Sequence, residues 1–194
     1  MKYFTIPLFI SICLFSIQVM GQKPDSAHKA RHRFAVYAGV GPNVYFNNLQ
    51  LANNYVNVVN YSVVTRIMWE PEHFLSLGLE TGYYRLYTVK TGQPLNVFIS
   101  NSAIPIQIVV SMKFLQSFYF NWSQGQSILF NEVNSSTYGH FDARTVSLGD
   151  FTATLGYNHP LNGRFSLGAE TKFFYSGKAN DRSLALVFVG GFSF

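Results

Sequence analysis

The stretch Ser183 to Phe194, SLALVFVGGFSF, constrains this chain more than any other. Its even positions are Leu184, Leu186, Phe188, Gly190, Phe192 and Phe194. Its odd positions are Ser183, Ala185, Val187, Val189, Gly191 and Ser193. One face is large and apolar, and the other is small. A period of two means a strand. A strand whose large face meets something apolar, and whose small face meets a crowded interior, fits a barrel wall in lipid. The sequence then stops on an aromatic residue with no polar tail.

Charge is scarce in the same sense. Only 12% of the 194 residues are charged, while 48% are hydrophobic and 17% aromatic. Soluble domains carry roughly 25% charged residues. Yet no window after the N-terminus approaches the ~20 apolar residues of a membrane helix. Low charge without a helical span points to alternating strands in a membrane. The formal net charge of +5 is too mild and too scattered for nucleic acid. The one cysteine, Cys13, lies in the leader, which leaves the rest without a disulfide, thiolate metal site or cysteine nucleophile.

Residues 1–21 read as a signal peptide, with Lys2 as the n-region and Tyr3 to Val19 as the apolar h-region. Cys13 sits inside that apolar run, where a lipidated cysteine would follow it. Residues 22–32, QKPDSAHKARH, form a polar periplasmic lead-in. His28 and His32 are four apart, but no third ligand stands near them, so no metal site is expected. The GVGPN of Gly39 to Asn43 has no helix pattern after it, so it is no phosphate loop.

Residues 33–194 divide into eight alternating segments: Arg33 to Tyr45, Val59 to Trp69, Phe74 to Tyr87, Ser102 to Met112, Phe118 to Gln126, Thr145 to Tyr157, Arg164 to Tyr175, and the terminal strand. Long connections (Phe46 to Val58, Thr88 to Asn101, Ser127 to Arg144) alternate with short ones (Glu70 to His73, Phe114 to Ser117, Asn158 to Gly163), and SGKANDR is the last loop. The expected fold is all-β, an eight-stranded antiparallel up-and-down transmembrane β-barrel with both termini in the periplasm. Aromatics sort by height. Phe34, Trp69, Tyr157, Phe165, Phe192 and Phe194 fall near one rim; Tyr61, Tyr83, Tyr87, Trp122, Phe173 and Tyr175 fall near the other, giving two girdles.

The layout, the terminal strand and the run AIPIQIVVSMKF, similar to the "IPL" strand, resemble the small outer-membrane barrels of the OmpX-like and PorT-like kind. The resemblance implies the outer membrane as location. It implies outer-membrane lipids and lipopolysaccharide around the wall. It makes Phe192 and Phe194 an assembly signal for the barrel-assembly machinery. The chain departs from that signal in having Val189, then Gly190, where a glycine often stands five residues from the end. Any further extracellular or periplasmic partner of the loops stays unnamed.

The inward positions collect Arg66, Glu80, Asp150, Glu170 and Lys172. Eight strands leave room for side chains but not for a wide channel, so these charges are expected to pair as a plug, Glu80 and Glu170 with Arg66 and Lys172. Three function classes follow. The first is a non-enzymatic barrel with a structural or surface-interaction role, its Asn-, Tyr- and Ser-rich loops making contacts, and Lys90, Arg144, Lys178 and Arg182 available to lipopolysaccharide phosphates. The second is a lipocalin-like soluble barrel with the apolar face inside and a hydrophobic ligand. The third is an enzyme on lipid A or phospholipid using Ser135, Ser136, His140, Asp142 or Ser147. No elbow or oxyanion glycine motif brackets those residues. The first class is the expectation, with no catalytic, cofactor or metal residues.

Overall fold

The computed structural model describes residues 33–46, 56–71, 75–91, 97–114, 117–135, 139–178 and 180–194. The leader and lead-in expected over 1–32 lie outside these residues. Nine extended segments occur: β1 (Arg33–Tyr45), β2 (Val56–Asn57), β3 (Val59–Glu70), β4 (Leu75–Lys90), β5 (Val97–Phe114), β6 (Phe118–Ser135), β7 (Gly139–Asn162), β8 (Phe165–Ser176) and β9 (Asp181–Ser193). β2 is a two-residue stub that pairs with β4 above β3. The other eight make the wall, every pair antiparallel, in the order β1, β3, β4, β5, β6, β7, β8, β9 and back to β1. Closure removes the edges that an open sheet would leave unpaired. At the seam, Phe194 N donates to Phe34 O at 2.9 Å, and Phe34 N donates to Phe194 O at 3.2 Å. The near end is the one that holds Arg33 and Phe194; the far end is its opposite.

Alternation carries the wall. Along β9 every second residue is buried, and its neighbours are exposed. The same holds along most of β3. Exposed positions are apolar: Val63, Ile67, Leu77, Leu79, Ile106, Ile108, Leu155, Leu186 and Phe188 all show two-fifths or more of their surface. The inward face mixes small apolar, hydroxyl and charged residues. This is the reverse of what a lipocalin-like barrel needs, since the greasy face is outside.

Two expectations are corrected. The third connection is not a loop. β6 runs on to Ser135 and β7 starts at Gly139, and the two ladder from Ser135↔Gly139 down to Phe118↔Tyr157. Likewise β4 and β5 extend to Lys90 and from Val97. Pro105 also finds its place. The β4–β5 ladder passes from Thr81↔Ile106 to Tyr84↔Ala103, skipping Ile104 and Pro105, the latter having no N–H to give. The Pro105 carbonyl accepts from Thr81 Oγ1 at 2.8 Å instead.

Candidate functional site

The site is the barrel interior at mid-height. Arg66 on β3 stands opposite Glu80 on β4 and Tyr37 on β1. Glu170 and Lys172 lie two apart on β8, so they share a face. All four charged residues are almost fully buried. Arg66 Nη1 donates to Glu80 Oε2 at 3.1 Å, and Nη2 donates to Glu170 Oε1 at 2.6 Å. Lys172 Nζ donates to Glu80 Oε2 at 2.7 Å and to Glu170 Oε2 at 3.3 Å. The result is a closed ring of two cations and two carboxylates with no net charge. β4 and β8 are four strands apart whichever way one goes round, so the Lys172–Glu80 bond spans the full diameter. Such a set is costly to desolvate, but once desolvated each member needs the others.

Two tyrosines complete it. The Arg66 guanidinium lies between the rings of Tyr37 and Tyr119, 4.9 and 5.7 Å from their centroids. Tyr119 on β6, Gly156 on β7 and Glu170 on β8 form one lateral row. Because position 156 has no side chain, the Tyr119 ring crosses it and the hydroxyl donates to Glu170 Oε1. A Cβ at Gly156 would come within 2.3 Å of the ring. Asn121, with its amide turned to suit its neighbours, accepts from Arg66 Nη1 at 2.8 Å and donates to Ser111 Oγ at 2.6 Å. One step above, Tyr84 on β4 and Phe174 on β8 stack across the lumen at 5.0 Å.

Below the ring, toward the near end, lies a cavity of about 440 Å³ with Arg66, Tyr37 and Tyr119 among its lining residues. At its rim Glu70 accepts from Tyr37 Oη at 2.6 Å and from Lys113 Nζ at 2.7 Å.

Asp150 is inward and buried, but it is not part of the ring. A bulge with Gly149 at φ +76° lets Ser147 and Asp150, three apart, face the same side. Ser147 Oγ donates to Asp150 Oδ1 at 2.5 Å, and Gly177 N donates to the same oxygen at 3.0 Å. Ser176 Oγ and the Lys178 N–H bind Ser147 Oγ at 3.0 and 3.2 Å. Asp150 therefore clamps the β8–β9 turn.

The aromatic residues expected to form girdles fall into two groups along the strands. Near-end rings touch in sequence, Phe34–Phe194, Phe194–Phe192 and Phe192–Phe165, at 5.0–6.3 Å, and Trp69 pairs opposite Phe34. Toward the far end Tyr83 meets Tyr61 at 5.9 Å. There Phe151 joins Trp122, Phe173 and Tyr175 at 4.9–6.2 Å. Tyr87 does not belong to the outer set. A register shift between Arg85 and Tyr87 turns it inward, where it packs on the core and on Tyr45 at 5.0 Å.

His140 Nε2 and Asp142 Oδ1 are 3.0 Å apart, but both side chains are more than half exposed. Ser147 is buried and already bound to Asp150, away from that pair, and Ser136 lies outside the described residues.

No family model matches the chain, and no curated protein does. Solved structures do. The attachment invasion locus protein Ail of Yersinia pestis, in complex with the heparin analogue sucrose octasulfate, superposes at TM-score 0.57 with 8% identity, over 84% of this chain and 99% of that one. Neisserial surface protein A superposes at TM-score 0.50 with 13% identity, over 86% of this chain and all of the other. Ail in a phospholipid bilayer nanodisc does so at 0.50 with 10% identity, over 84% and 100%. The shared feature is the fold: a closed eight-stranded barrel of the outer-membrane kind.

Proposed function

We propose that this chain is an outer-membrane protein of the small OmpX-like or PorT-like kind, closed to solutes through its lumen and working at the cell surface through its far end. The observation that carries the reading is the Lys172–Glu80 bond across the full diameter, sealed by Arg66, Glu170 and the Tyr84–Phe174 stack. An apolar belt between two aromatic bands supports membrane insertion, with outer-membrane lipids and lipopolysaccharide around the wall. Phe192 and Phe194 serve as the assembly signal read by the barrel-assembly machinery. The protein is not an enzyme in this reading.

The far end carries basic residues seated on aromatic rings: Lys90 over Phe98, Arg144 over Phe130 and Arg182 over Tyr175. Aromatic seating holds each cation in place; Arg182 Nη2 also donates to Asn180 Oδ1 at 3.4 Å, and the other donors of these side chains can turn toward phosphate or sulfate. A polyanionic surface ligand, such as lipopolysaccharide phosphate, fits this end. The test is heat-modifiable migration of the protein from an isolated outer-membrane fraction, followed by planar-bilayer conductance. A boiled-versus-unboiled shift without steady conductance is expected. Recovery in the soluble fraction, or stable single-channel steps, would overturn the reading.

A further inference from the structure

Among the described residues, the upper part of β7 has one bare edge. Its ladder with β8 starts at Phe151↔Tyr175, and beyond it Lys178 Nζ contacts Val146 O at 3.5 Å. Among the described residues, Gly139 to Thr145 pair with β6 alone. Almost every residue of that segment is exposed, Phe141 by 60%. A row of unpaired N–H and C=O groups is a template for another strand.

The side chains next to this edge are in conflict. Glu132 on β6 is directly opposite Asp142 on β7, and like charges so placed repel. Arg144, two residues along on the same face, is drawn aside over Phe130 at 5.4 Å. The edge sequence is also complementary to itself. In an antiparallel pair of two β7 edges centred on Ala143, each Asp142 stands opposite Arg144 of the other copy. A register centred on Asp142 would set two carboxylates together. The Ala143 register extends the row Glu132–Asp142 by a cation, and it does so twice across one two-fold axis.

We propose that the free β7 edge pairs with the same edge of a second copy, antiparallel, with Ala143 on the axis. This rests on the outer-membrane reading for its consequence: antiparallel edges point the two barrels in opposite directions, so the copies stand in facing membranes and join them. An edge bearing one sign of charge would repel its twin; this one attracts it.

The test uses the protein purified from outer membranes in a Cys13→Ser background, with folding checked by heat-modifiable migration. That check also separates failure of the barrel reading from failure of this one. Sedimentation in detergent is expected to show self-association. Asp142→Arg and Arg144→Asp should each weaken it roughly tenfold, since two opposite-charge pairs become two like-charge pairs. Mixing the two single variants should restore association, which also proves that both are folded. Ala143→Cys should give a disulfide-linked dimer on oxidation. A wild-type chain that stays monomeric, charge variants that associate as the wild type does, or association without the Ala143→Cys cross-link would each overturn the proposal.

Discussion

The lumen at mid-height and the β6–β7 hairpin use the same secondary structure under opposite constraints. In the lumen, the charged side chains of the ring are met from several directions. Glu170 receives Arg66, Lys172 and Tyr119 from three different strands. In the hairpin beyond Ser127 and Ser147, the described strand β7 has a neighbour on one side only. A charge in the lumen is held by a ring it cannot leave. In the hairpin, Glu132 and Asp142 can sit opposite each other because water screens them. Stability in a barrel this narrow is concentrated in the ring that crosses it rather than in the strand length that rises above it.

The largest loss is expected from Glu170→Leu. It removes the partner of both cations and of the Tyr119 hydroxyl. Arg66 and Lys172 are then left with one carboxylate between them inside the wall. The expected loss is on the order of 3–5 kcal/mol, read as a lower urea midpoint or melting temperature of the detergent-folded barrel. Glu80→Leu should also lower the melting temperature, since Glu80 Oε2 serves both cations. If either variant melts with the wild type, the ring does not hold the fold.

Next in size is Gly156→Ala. The added Cβ would meet Tyr119 Cζ at 2.3 Å, so the ring must swing away and release Glu170. Overpacking of this kind costs about 1–3 kcal/mol. Pairing it with Tyr119→Phe sharpens the point. Once the hydroxyl is gone, the glycine should matter less, and a double-mutant cycle measures by how much. Strict additivity would show that Gly156 and the Tyr119 hydroxyl act separately.

These residues mark what the sequence could and could not show. A period of two gives the parity of a strand, so the inward side of Arg66, Glu80, Glu170 and Lys172 can be read from the chain alone. Which inward residues meet depends on register. Parity puts Asp150 among them, and register sends it to the β8–β9 turn. Tyr37 and Tyr119 escape notice because their reach depends on the glycine opposite each, Gly191 and Gly156. Tyr87 is misread because one bulge flips the parity above Arg85. The β7 arm of the hairpin reads as a loop because a strand exposed on both faces has no reason to alternate. The wall is legible where two different surroundings press on its two faces, and illegible where one surrounds both.

A smaller effect belongs to the clamp. Asp150→Asn keeps the oxygen that Ser147 and Gly177 bind but removes the charge that strengthens those bonds. The expected change in global stability is about 1 kcal/mol. The informative reading is local. Amide exchange at Gly177 and Lys178 should speed up, while amides of β3 and β4 around Arg66 and Glu80 keep their protection. Uniform loss of protection would mean that the clamp and the ring are one cooperative unit.

The largest deletion should leave the ring untouched. Removing residues 128–146 and joining Ser127 to Ser147 by an Asn-Gly turn preserves that cross-strand pair as the last rung of the hairpin. The deleted part touches the wall through β5 along Val97 to Ile104, but it contributes nothing to the charged ring. Shortening a connection costs little chain entropy, because closure entropy changes slowly with length. The deletion also removes Leu129 from the core and the Asn131 partner of Asn101, so the trimmed barrel should lose about 2–3 kcal/mol of stability and melt lower, yet keep its heat-modifiable migration. Self-association should be lost with it. A trimmed chain that no longer folds would place the hairpin inside the stable unit and erase the contrast with the lumen. One that folds and still associates would move the interface elsewhere on the barrel.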